Sequence, residues 1–238
     1  MPALSSVQAL VFDVFGTVVD WRSSIILDLT AFGTQRGITA DWNRFTDDWR
    51  ALYQPAMDEV RSGRRPWTIL DVLHRESLVV LLERHRIDGL SDADIDRLTR
   101  AWHRLDPWPD VLPGLARLKH RYIIGPMSNG NVGLLTRMAK HAKLPWDVIL
   151  GAETARAYKP LPESYLRNAA LLNLEPAQVM LVAAHNSDLK AAQAAGFATG
   201  FVARPTEHGP GQTKDLAATG NWDVVATDFT NLADKLGC

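Results

Sequence analysis

Four polar groups stand behind four apolar runs, and together they could do nucleophilic chemistry. Asp13 and Thr17 follow the run Leu10-Val11-Phe12, and Ser128 and Asn129 follow residues 122–127. Lys159 comes after residues 148–151, and Asp188 after residues 179–184. A carboxylate such as Asp13 can attack an electrophilic carbon or phosphorus and form a covalent ester. Lys159 could orient that carboxylate and lower its pKa by opposite charge. Asp188 could hold Lys159, or position and deprotonate a water. The N–H groups of the turn at residues 14–17 could hold an anionic substrate end. Ser128, expected at the start of a helix, adds a hydroxyl and nearby backbone donors for an anion. Taken singly, each cluster also reads as a strand-end cap or turn. Two residues beyond Asp13, where a second acid could stand, the chain has Phe15.

These groups meet only if parallel strands deliver them to one edge of a sheet. Residues 7–12 form the first expected strand. Residues 122–127, 148–151, 179–184, 199–202 and 223–226 form the others, with helices expected at 112–119, 132–141, 162–172 and 189–195. Strands alternating with helices predict an α/β fold: a Rossmann-like, mostly parallel sheet with helices on both faces. The stretch from about 23 to 104 offers few strands. Its apolar positions recur at helical spacing, as in Ile69, Leu70, Leu73, Leu78, Leu81 and Leu82. Ser91 with Asp94 predicts the capped start of a helix running to His103. The chain therefore divides into a core at 1–18 and 105–238 and an inserted helical cap at 19–104. Pro107, Pro109 and Pro113 mark the return to the core.

With 238 residues the chain can bury a sizeable core. Its 26 Lys and Arg against 27 Asp and Glu leave a net charge of −1, which argues against nucleic acid or an anionic membrane as partner. The single cysteine, Cys238, excludes a disulfide framework within the chain. No signal peptide is read at the N-terminus, and no apolar run approaches the ~18 residues of a membrane span. The expected location is cytoplasmic.

The motifs resemble those of the haloacid dehalogenase superfamily, and within it the L-2-haloacid dehalogenases. They are Asp13-Val14-Phe15-Gly16-Thr17, Met127-Ser128-Asn129-Gly130, Tyr158-Lys159-Pro160 with Glu163 and Tyr165, and the strand running into Asp188, in that order, with Trp49-Arg50 in the insert. The resemblance implies hydrolysis of short (S)-2-haloalkanoic acids to (R)-2-hydroxyalkanoic acids. Asp13 would displace halide from C2 in line with inversion, and water would then cleave the ester at the Asp13 carboxyl carbon. It further implies that Arg50 and Asn129 approach the halide, while Ser128 and the N–H groups of Val14 and Phe15 hold the substrate carboxylate. Thr17, Lys159, Tyr165 and Asp188 would organise nucleophile and water, although Tyr165 also reads as a packed helix residue. The partners implied are a small haloacid, water and halide, with a homodimer as a possible assembly; exposed tryptophans of the insert, such as Trp67, are candidate interface residues. No cofactor and no metal are expected. Phosphatases of the superfamily carry an acid at the place of Phe15, and their magnesium sites are richer in carboxylate near Asp188.

The fourth motif departs from the best-known relatives. The chain reads Ala183-Ala184-His185-Asn186-Ser187-Asp188, with Ala183 for a serine, His185 for an asparagine and Ser187 for a frequent aromatic residue. His185 is expected either bonded to backbone or lending a donor or charge near the halide. The latter would favour fluoroacetate as substrate. An atypical phosphatase and a non-catalytic member of the fold are the competing functions.

Overall fold

The computed structural model describes residues 4–238. Six strands lie in one sheet: β1 (Ala9–Phe12), β2 (Ile123–Ser128), β3 (Leu150–Gly151), β4 (Val179–Ala183), β5 (Ala198–Val202) and β6 (Val224–Ala226). Their order is β3-β2-β1-β4-β5-β6, and every neighbouring pair is parallel. β1 is central, with Phe12 opposite Pro126 of β2 on one side and Val182 of β4 on the other. A parallel sheet of this kind is buried on both faces, so its strands are apolar throughout rather than alternating. In β1, Leu10 and Phe12 enter one core cluster while Ala9 and Val11 enter the other. That is the two-residue period of a strand.

The helices are α1 (Trp21–Arg36), α2 (Trp42–Arg61), α3 (Leu70–Arg84), α4 (Asp92–Thr99), α5 (Val111–Leu118), α6 (Val132–Ala142), α7 (Ala152–Ala155), α8 (Pro162–Leu171), α9 (Asn186–Ala194) and α10 (Phe229–Lys235). The first four are consecutive and form the insert. Ser91 caps α4 with a reciprocal Asp94 bond, as expected, but α4 ends at Thr99 and a short 3-10 turn at Arg100–His103 continues it. The insert leaves and rejoins the sheet at one place. Asp20 donates its N–H to the Asp106 carbonyl at 2.9 Å, and Trp108 donates to Val18 at 3.1 Å. Trp21, Trp49 and Trp102 pack there with Phe15 and His74, all buried. Aromatic faces and edges thus join the insert to the loop behind β1.

Two expected elements are shifted. Ser128 does not start a helix: it is the last residue of β2, and α6 begins only after Gly130 and Asn131. Helix α9 begins at Asn186 rather than Leu189, because the His185 carbonyl already accepts the N–H groups of Asp188 and Leu189. Asp188 therefore sits in the first turn of that helix. Trp67 is not a free exposed ring, since it is partly buried against Tyr158 with Arg156 over its face.

Candidate active site

In an open parallel sheet ligands bind beyond the carboxyl ends of the strands, where the connections on the two sides of the central strand part. Here that place lies between the ends of β2, β1 and β4. A cleft of about 1260 Å³ opens there, lined by Asp13, Phe15, Arg50, Tyr53, Asn129, Lys159, Tyr165, His185 and Asp188 among others. Seven of the nine expected catalytic residues line it.

Asp13 leaves β1 with its N–H bonded to the Val182 carbonyl at 3.0 Å. Its two carboxylate oxygens are held differently. Oδ1 accepts from Lys159 Nζ at 2.9 Å. Oδ2 accepts from Thr17 Oγ1 at 2.8 Å and faces His185 Nδ1 at 3.0 Å. Thr17 is held in turn by the N–H of Ala184, which donates to its hydroxyl oxygen at 2.9 Å. Burial would raise the Asp13 pKa, but the Lys159 ammonium and the His185 bond and charge outweigh it and hold the carboxyl well below the usual range. Asp13 is an ionised, fixed carboxylate at neutral pH.

Lys159 is buried between two acids. Its ammonium also bonds to Asp188 Oδ2, and Asp188 Oδ1 accepts from the Tyr165 hydroxyl at 2.7 Å. Burial would lower the lysine pKa, yet Asp13 and Asp188 together push it upward. The Lys159 backbone N–H donates to Asn129 Oδ1 at 2.8 Å, so Asn129 anchors the main chain that carries the ammonium. Ser128 Oγ is buried and accepts from the Gly130 N–H at 3.3 Å. Ser128, Thr17 and Val14 are buried beside Asp13, Phe15 and Asn129 in the chain and do not themselves line the cleft.

Arg50 reaches the opposite wall from α2. Its guanidinium lies 4.2 Å from the Tyr53 ring centroid and 5.1 Å from that of Trp21. Nη1 is buried with no hydrogen-bond partner among the described residues. A buried guanidinium N–H without an acceptor, flanked by aromatic rings, is a ready site for an anion. Tyr53 was not singled out from sequence. Its spacing from Arg50, one turn along one helix, was the available signal.

Among the described residues the His185 ring bonds to no backbone group, contrary to one expectation for it. Its Nε2 faces Glu207 Oε2 at 2.8 Å, with Asp13 on Nδ1. Both partners are carboxylates and can only accept, so both ring nitrogens carry protons. Burial opposes this charge, but Glu207 and Asp13 raise the His185 pKa well above its ordinary value. Glu207, 1% exposed, was not foreseen; it also accepts from Trp21 Nε1 at 3.0 Å.

The residues present do not fit a magnesium site. Mg²⁺ asks for near-octahedral oxygen ligation, whereas cationic Lys159 and His185 stand against the two Asp13 oxygens and position 15 is an apolar ring that offers no ligand.

A family profile for haloacid dehalogenase-like hydrolases matches residues 7–196. Among solved structures, a defluorinating L-2-haloacid dehalogenase is 52% identical with a TM-score of 0.96, covering 98% of this chain and 96% of its own. A second L-2-haloacid dehalogenase is 49% identical with a TM-score of 0.95, covering 97% and 99%. The (S)-2-haloacid dehalogenase 4A of Burkholderia cepacia is 26% identical, over 97% of this chain and 100% of that protein. The chain belongs to the haloacid dehalogenase-like hydrolases, on their L-2-haloacid dehalogenase branch.

Proposed function

We propose that this enzyme hydrolyses short (S)-2-haloalkanoic acids to (R)-2-hydroxyalkanoic acids through an ester on Asp13. One observation carries the reading: a fixed, ionised carboxylate faces a cleft whose other wall holds a buried, unpartnered guanidinium N–H. Asp13 attacks C2 from one side while Arg50, with Asn129 nearby, draws the departing halide on the other. Charge that develops on the halogen meets a preplaced donor in a site shielded by aromatic rings. A halide leaves as a stable anion, so no acid is needed where Phe15 stands. The substrate carboxylate is assigned to Ser128 and the N–H groups of Val14 and Phe15. In the second step Asp188, tied to Lys159 and Tyr165, takes a proton from water as it adds to the Asp13 carboxyl carbon.

A single turnover in ¹⁸O-water tests the route. Label enters Asp13 first and reaches product only on later turnovers. Label found directly in the first product would refute the ester.

Fluoroacetate is a second substrate reading, favoured by the 52% identity to a relative described as defluorinating. Fluoride accepts strong hydrogen bonds, and the Arg50 N–H is free to give one. Clear chloride release from chloroacetate with no fluoride from fluoroacetate would remove this reading.

A further inference from the structure

The pair His185 and Glu207 has no part in attack or halide departure as described, yet it is built into the nucleophile. Glu207 comes from the irregular chain after β5 and tucks beneath the loop that carries Asp13. Gly16 makes room for it: a Cβ there would fall 2.1 Å from Glu207 Oε1, and Gly16 has φ +89°. No other residue type suits both that backbone and that space. Trp21 holds the second carboxylate oxygen.

The two oxygens of Asp13 are unequally engaged. Oδ2 has two donors, Thr17 and His185. Among the described residues Oδ1 has one donor, Lys159, and is the less engaged of the two. The freer oxygen attacks C2, so Oδ1 becomes the ester oxygen and Oδ2 the ester carbonyl.

We infer that His185, held by Glu207, and Thr17 form the oxyanion hole for hydrolysis of the Asp13 ester, making His185 a catalytic residue of the second step and Glu207 its positioning residue. This rests on the ester route proposed above. Water adds to Cγ, the Cγ–Oδ2 π pair moves onto Oδ2, and Asp188 takes one water proton. The pair then returns, the Cγ–Oδ1 bond breaks, and Oδ1 departs on C2, receiving that proton as the product hydroxyl. Asp13 is left as a carboxylic acid and loses its remaining added proton to solvent. Donors already aimed at the oxygen that gains charge need no reorganisation. Glu207 matters most in this step. Alkylation removes the negative charge of Asp13, and Glu207 is then the carboxylate still in contact with His185 to keep it a two-proton donor.

The test compares wild type with Glu207→Gln and His185→Ala on chloroacetate by rapid quench, with intact-protein and peptide mass spectra. In both variants ester hydrolysis slows more than halide release, by about tenfold or more, against the ~10²–10³ of a full donor loss. Chloride then shows a burst, and a carboxymethyl adduct accumulates on the Asp13 peptide. Two substitutions are used because a buried acid can be needed for folding. In pH profiles of the hydrolysis step, the limb that falls as pH rises moves to lower pH in Glu207→Gln. The groups facing His185 and Glu207 are Asp13, Lys159 behind Asp13, Arg50 and His208. Turnover by the variants without burst or adduct would overturn the oxyanion role. A wild type that forms neither chloride nor adduct would instead retire the ester route itself.

Discussion

Replacing Lys159 by methionine removes the one ammonium between two buried acids while keeping much of the chain's volume. At 2.9 Å from Asp13 Oδ1, and with an effective dielectric of about 20, the gross attraction is about 6 kcal/mol. Part of this offsets the desolvation of the charges, and removing one partner of a buried pair costs about 3–5 kcal/mol. His185 still faces Asp13 in the variant, which places the expected loss near the lower end, about 3 kcal/mol at pH 7. The sign with pH follows from the pKa directions. The depressed Asp13 pKa gives stability that is present above the unfolded value near 4 and fades as pH falls through the folded one. The raised Lys159 pKa gives stability that is complete below about 10 and is lost as pH rises through its folded value. Between those limits wild type keeps both contributions. The variant instead carries two carboxylates with less compensation, and its deficit shrinks as acid protonates one of them. Urea unfolding at pH 7.5 and pH 4.5, with halide release measured at pH 7.5, reads this directly. Equal stability within about 0.5 kcal/mol at pH 7.5, together with an unchanged rate of halide release, would refute the reasoning.

Arg50→Ala slows single-turnover halide release by about 10²–10³ through loss of one preplaced donor, with circular dichroism unchanged; release at the wild-type rate would take Arg50 out of the halide site. Gly16→Ala forces a side chain onto φ +89° and into the Glu207 carboxylate, costing about 1–3 kcal/mol for the backbone alone, and it slows ester hydrolysis more than alkylation. Thermal unfolding and the rapid-quench assay check both parts.

The sheet was legible because a strand buried on both faces must be a short apolar run, and a polar residue at its end marks the edge where ligands bind. Asp13, Lys159 and Asp188 were found in that way, and they do meet. The helices of the insert were legible from 3.6-residue spacing, down to the Ser91 cap. Boundaries were less so. Ser128 and Asn186 sit at junctions where a few backbone bonds decide between strand, turn and helix, and those bonds depend on neighbouring elements. Glu207 left no pattern at all. It lies in an irregular segment beside exposed residues, and its burial follows from tertiary contacts with Trp21, Gly16 and His185. A histidine behind a strand end, which needs an acceptor for each protonated nitrogen, was the one available clue.

The paired strands of chain at Val18–Asp20 and Asp106–Trp108 make the four-helix insert a detour with a single doorway. What happens to its length or contents need not be felt by the hydrogen-bond ladder beneath, since the threshold stays closed by the same two bonds. Selection can therefore remodel the wall that carries Arg50 while Asp13 and its lysine stay where they are.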